Sequence, residues 1–260
     1  SLNNLCNLLT GSNRNKEGLA ALKEAVSIYE KLDENNRLGA SLPQFAGTLS
    51  NLGMKLEALG QREKALPILE KSVSIYRELN TAYPDAFLPY LATSLNNLGS
   101  MFDSPGYYTK GLAFLEESVN IRRELAAARP NAFLYSLATS LDNLVIVLET
   151  AGELKKALVY AEESVDSYRK LNYNHPDEFL GHLAGSLNRL SHLLVLSNKN
   201  KNALLKITEA VTIIGPLYQK SPKVFAAISR NICHRYKECC KSLGEIPDTA
   251  LLDFFQNLNI

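Results

Sequence analysis

Four cysteines and four histidines are among the residues in this chain that could ligate a metal or carry acid, base or nucleophile chemistry. Their spacing does not assemble such a site. Cys6 stands alone, and Cys233, Cys239 and Cys240 lie close to His234 without forming a C-x-x-C pair. His182 and His192 are ten residues apart, nearly three helical turns, too far to share a metal from one helix. His175 precedes Pro176 in what reads as an exposed turn. No glycine-rich phosphate loop is present, and the doublets Glu116-Glu117 and Glu162-Glu163 read as a wet helix face. Catalysis needs an acid with its base, a nucleophile with its partner, or ligands at fixed spacing. The expectation is a segment with no enzymatic activity, no cofactor and no metal.

The elements that would carry these residues are marked by a repeat. Pro84, Pro130, Pro176 and Pro222 are each separated by 46 residues, as are Phe87, Phe133, Phe179 and Phe225. Leu49, Leu95, Leu141 and Leu187 keep the step, and so do Val73, Val119, Val165 and Val211. Ser1 to Leu5 begins one more copy, offset by 47. A period of this size indicates a solenoid, whose units bury their apolar faces only against neighbours. The reading is one elongated domain over 1–260, with units of about 1–38, 39–83, 84–129, 130–175 and 176–221, then a partial unit with a C-terminal cap over 222–260. Ser1 falls inside a repeat, so the segment is expected to be cut from a longer chain.

Within the unit from Pro84 to Pro130, Pro84-Asp85-Ala86 reads as a helix start. Phe87, Leu91, Leu95, Leu98 and Phe102 then form an amphipathic stripe of about 18 residues, which Gly106 ends. Gly111, Leu112, Leu115, Val119, Arg122 and Leu125 form a second stripe, leaving Glu116, Glu117, Arg123 and Glu124 for solvent. Two stripes around a break make a helical hairpin, and the absence of period-two alternation makes the fold all-α. Gly60, Gly106, Gly152 and Gly244, with Asn198 standing in once, suit a left-handed residue closing the first helix. Ala65, Gly111, Ala157 and Ala203 are small where the two helices of a hairpin should touch. Cys233 and Cys240 occupy the columns of Leu187 and Leu194, which places them in the core.

The formal net charge is +1, from 28 basic and 27 acidic residues spread evenly, which offers no basic patch for nucleic acid. No uninterrupted run of about 18 apolar residues exists and the first residues are polar, so neither a membrane span nor a leader is read. Buried free thiols suit a reducing compartment, and the expected location is cytoplasmic.

One unit reads Leu49-x-x-Leu52-Gly53-x-x-Leu56 followed by Gly60, Ala65 and Leu69, and the next reads Leu95-x-x-Leu98-Gly99-x-x-Phe102 followed by Gly106, Gly111 and Leu115. This pattern resembles the tetratricopeptide repeat, in about five and a half copies over essentially the whole chain. It departs from the standard 34-residue unit by 12 added residues and by the lack of any Trp. Leu-Asn-Asn-Leu inside such lengthened units is similar to the kinesin light chain subclass. The resemblance implies a right-handed α-α superhelix whose first helices line a concave face that binds peptides or protein partners, without catalysis.

The family's groove asparagine falls at Asn4, Asn51, Asn97 and Asn143, and that column then holds Arg189. A row of primary amides could pair with the backbone of an extended peptide, or it could bridge adjacent first helices; both readings stand. Helix geometry puts Glu57, Asp103 and Glu149 on the same face as an acidic column, with Val195, Leu196 and His192 toward the C-terminal end. The expected ligand carries Lys or Arg at its middle and an apolar anchor. A sensor or oligomerising part of a larger signalling protein, with an NTPase or caspase-like protease elsewhere, is the alternative role, and self-association through an apolar N-terminal edge is a third.

Overall fold

A computed structural model of the chain describes residues 15–34, 39–83, 86–102, 108–175 and 177–258. Eleven α-helices account for nearly all of these, and no strand occurs among the described residues. They are α1 (Asn15–Glu34), α2 (Leu42–Ala58), α3 (Arg62–Ala82), α4 (Leu88–Gly99), α5 (Tyr108–Ala128), α6 (Pro130–Thr150), α7 (Leu154–Asn174), α8 (Leu180–Leu196), α9 (Asn200–Lys220), α10 (Pro222–Leu243) and α11 (Thr249–Leu252). The chain falls into two compact units, Ser1–Arg122 and Arg123–Ile260, the division lying within α5. In the first unit α2 packs on α3 and α3 on α4; in the second, α6 to α10 pack each on the next.

The repeated apolar columns are the core. Leu49 and Leu95 in the first unit, and Leu141 and Leu187 in the second, are buried, as are the four valines of the 46-residue step. Ala65, Ala157 and Ala203 are fully buried where the two helices of a hairpin meet. At the α4–α5 contact both sides are glycine: a Cβ on Gly111 would lie 2.8 Å from the carbonyl oxygen of Gly99 and equally close to the Phe102 side chain. No side chain larger than hydrogen fits that approach.

The left-handed closures follow the sequence reading. Gly60, Gly152 and Gly244 have φ of +71°, +76° and +71°, and Asn198 takes the same conformation at +58°. Gly106 lies outside the described residues.

The first helices do not all start at the repeated prolines. Pro130 and Pro222 do open α6 and α10, but α8 begins only at Leu180, after Asp177 turns with φ +70° and Asn172 Oδ1 accepts the Phe179 N–H at 3.1 Å. Here the Asp177 turn and the Asn172 side chain set the entry. Pro84, Asp85 and Pro176 lie outside the described residues, and α4 starts at Leu88. That helix is also 12 residues long rather than about 18, because it ends at Gly99, while Met101 and Phe102 are still buried beyond it.

The second helices α3, α5, α7 and α9 are all 21 residues long. Arginine on one reaches glutamate on the next: Arg77 to Glu117 at 2.5 Å, Arg123 to Glu163 at 2.5 Å and Arg169 to Glu209 at 2.8 Å. Glu117 and Glu163 therefore tie neighbouring helices together besides facing water. The pairs are only partly buried and are worth about 0.5 kcal/mol each, so they set register more than stability.

Cys233, Cys239 and Cys240 are buried free thiols, and burial pushes the Cys233 thiol up to about 11. Cys6 lies outside the described residues. The segment after α10 closes the second unit: Phe255 is buried against Tyr218 of α9, and the Phe254 ring lies over Gly215, where a Cβ would come within 2.7 Å. By length and composition α6 passes for a membrane-spanning helix, but Leu137, Leu141, Leu144, Val145 and Leu148 are buried in the fold.

Candidate functional site

In the first unit, α2 and α4 lie side by side above α3, and a solvent-open cavity of about 740 Å³ sits between them. Pro43, Gln44, Gly47, Ser50 and Asn51 form its α2 wall, Phe87, Tyr90, Thr93 and Ser94 its α4 wall, and Tyr76 of α3 its floor. Every lining residue is uncharged. Helical spacing explains the set, since 43, 47, 50 and 51 share one face, as do 87, 90 and 94. A Cβ on Gly47 would press to 3.2 Å on the Tyr76 hydroxyl, so glycine there leaves the floor open.

Hydrogen bonds hold this frame. The Tyr76 hydroxyl donates to the Pro43 carbonyl at 3.2 Å, and burial raises its pKa to about 12. Ser72 donates to the Ala46 carbonyl at 2.8 Å and sits 3.1 Å from Ser94. Buried Arg122 of α5 donates to the Thr93 hydroxyl at 3.1 Å. Tyr76 and Tyr90 stack at 5.8 Å, and Phe87 stands 6.3 Å from Tyr90. Tyr90 is 56% exposed, a large apolar surface offered to solvent at the rim.

The positions 92 residues later, in the second unit, are built differently. Tyr135 stands where the first unit has Pro43 and Thr139 where it has Gly47. The Tyr135 ring sits 5.3 Å from Phe179, 5.4 Å from His182 and 6.4 Å from Tyr168, while Tyr168 stacks on His182 at 5.5 Å. Below, Asp142 accepts from Ser164 at 2.6 Å, Ser186 at 3.0 Å and Tyr168 at 3.2 Å. Its carboxyl is nonetheless pushed up, because burial outweighs these donors.

Further along the second unit's first helices, Arg189 reaches Glu149 at 3.2 Å and His192 Nε2 lies 3.0 Å from the other Glu149 oxygen. Arg235 of α10 lies 2.7 Å from His192 Nδ1 and donates to Asn188 at 3.1 Å. These contacts define a neutral imidazole that accepts at Nδ1 and donates from Nε2. Burial first, then Arg235, lowers its pKa.

The residues singled out in the sequence separate accordingly. Asn51 is exposed on the cavity wall. Asn97 donates to Ser50 at 3.1 Å and so bridges α2 and α4. Asn143 is partly buried on α6. Arg189, Glu149 and His192 come together, and Glu149 is thereby already paired. Glu57 is partly buried, with one carboxylate oxygen out of solvent and without a hydrogen-bond partner among the described residues. Asn4 and Asp103 lie outside the described residues. The sequence reading missed the cavity's aromatic wall, Tyr76 and Tyr90, and also Asp142 and Arg235. Arg235 was within reach, since it continues the 46-residue column of Arg189. Among the described residues no group of three or more His, Cys, Asp or Glu side chains is placed to hold a metal.

The tetratricopeptide repeat family model matches residues 45–80, 91–127 and 137–177. Among solved structures, the chain is similar to BtubC (BKLC) from P. vanneervenii at 16% identity, covering 95% of this chain and 91% of that one, with a TM-score of 0.71. It is similar to a putative kinesin light chain from Podosopora anserina with nearly identical TPR-like repeats at 17% identity, 83% and 94% coverage and a TM-score of 0.62. MamA from Desulfovibrio magneticus RS-1 matches at 17% identity, 82% and 92% coverage and a TM-score of 0.51. At these identities the likeness is one of fold. No curated protein matches the chain.

Proposed function

We propose that this chain, a tetratricopeptide repeat array, holds a protein or peptide partner on the face of its first helices, with the α2–α4 cavity as the principal contact. Tetratricopeptide repeats generally serve protein–protein interaction and are generally non-enzymatic scaffolds. The observation that carries the reading is the cavity itself: it is open to solvent, walled by exposed Tyr90 and by Asn51, and floored by buried Tyr76. Asn51 makes no hydrogen bond among the described residues, which leaves its amide for the backbone of an extended chain. A preference for basic ligand residues rests on Glu57 alone among the described carboxylates of its column, since Arg189 and His192 occupy Glu149.

Selection of random displayed peptides against the whole array tests this. The expected binders lose at least tenfold in affinity when Tyr90 and Asn51 are both changed to Ala. Binders indifferent to that pair, yet weakened by Val159→Glu on the exposed side of α7, would overturn the reading.

A further inference from the structure

The two units place the same frame in two states. In the second unit the position between Tyr168, Phe179 and His182 is filled by the chain's own Tyr135 ring. In the first unit the corresponding space between Tyr76, Phe87 and Tyr90 is the open cavity, because Pro43 supplies no aromatic ring and Gly47 no side chain. The third such frame, between α8 and α10, is also filled: a Cβ on Gly181 would meet the Phe225 ring at 3.0 Å, and one on Gly185 would meet Ile228 at 3.4 Å.

We infer that the α2–α4 slot takes an uncharged aromatic side chain from a partner polypeptide, held against Tyr76, Phe87 and Tyr90 as Tyr135 is held in the second unit. Three observations agree. The stacked Tyr76–Tyr90 pair presents ring faces and edges that prefer offset or edge-on aromatic neighbours. The lining carries no carboxylate, so a Lys inserted there would be desolvated without a counter-charge. Asn51 at the margin, exposed on the cavity wall, leaves its amide for the partner's backbone. The inference rests on the first-helix face being the docking face and adds the residue class that enters it.

The test uses the whole chain and blocked pentapeptides Ser-Gly-X-Gly-Ser, with X as Tyr, Phe, Leu or Lys, titrated by protein-observed NMR. Tyr and Phe peptides are expected to bind at least fivefold tighter than Leu and Lys peptides, shifting the Thr93 and Gly47 amides. Pro43→Tyr is expected to fill the slot from within and weaken the Tyr peptide at least fivefold, with helical circular dichroism unchanged. Should that variant fail to fold, Tyr135→Ala carries the test, since vacating the second frame should create new peptide shifts around Thr139 and His182. Equal binding of the Leu or Lys peptide, or a folded Pro43→Tyr protein that binds as before, overturns the inference. So does self-association that Pro43→Tyr abolishes, which would assign the slot to a second copy. A selected partner that needs Asn51 but ignores Pro43→Tyr would sink the aromatic slot and leave the docking face standing.

Discussion

Asp142 shows how far one side chain departs from its column. The neighbouring copies carry Asn96 and Asn188 there, whereas Asp142 is a carboxylate held by two serines and a tyrosine and pushed above its ordinary pKa by burial. A folded-state pKa above the unfolded value means that folding favours the protonated form. The cost of burying the charge is therefore absent below the unfolded value and fully present above the raised one. Asp142→Asn is expected to raise the melting temperature at pH 7, and the gain should shrink as pH falls toward 4, read by thermal denaturation of both proteins across that range. A gain that grows on acidification would contradict this account. Single residues were also where the sequence was least legible. Asn198 could be placed because a left-handed conformation has a short list of tolerant residues, but nothing in the spacing of Tyr135 tells whether its ring lies in the groove or in water.

At the scale of the helix, the hairpin closures and core columns were readable because 3.6-residue periodicity and φ-tolerance act locally. The length of α4 was not, since Met101 and Phe102 keep the apolar pattern going after the helix has ended at Gly99. The ion pairs between second helices escaped notice for a related reason. Arg77 and Glu117, like Arg123 and Glu163, are 40 residues apart, a step defined only once the helices are set side by side. Gly111→Ala is the sharpest test of the close approach between α4 and α5. Alanine would gain about 1 kcal/mol in helix propensity, but its Cβ would meet backbone oxygen and Phe102 at 2.8 Å, and such overpacking costs about 1–3 kcal/mol. The clash is expected to win, lowering the denaturation midpoint of the variant; an unchanged or raised midpoint would mean that the two helices can slide apart freely.

For the molecule as a whole, the 46-residue step named the architecture because each repeat buries its face only on its neighbours. It did not reveal that the chain gathers into two compact units, nor that equivalent frames are open in one and filled in the other. The open and the filled frame differ at two positions, Pro43 against Tyr135 and Gly47 against Thr139. Docking on the first-helix face of the first unit is the central claim, and amide shift mapping of the intact chain with a selected binding peptide addresses it most directly. Shifts concentrated at Gly47, Asn51, Tyr90 and Thr93 are the predicted result. Shifts confined to the exposed sides of α3, α5, α7 and α9, with those four amides unmoved, would contradict it.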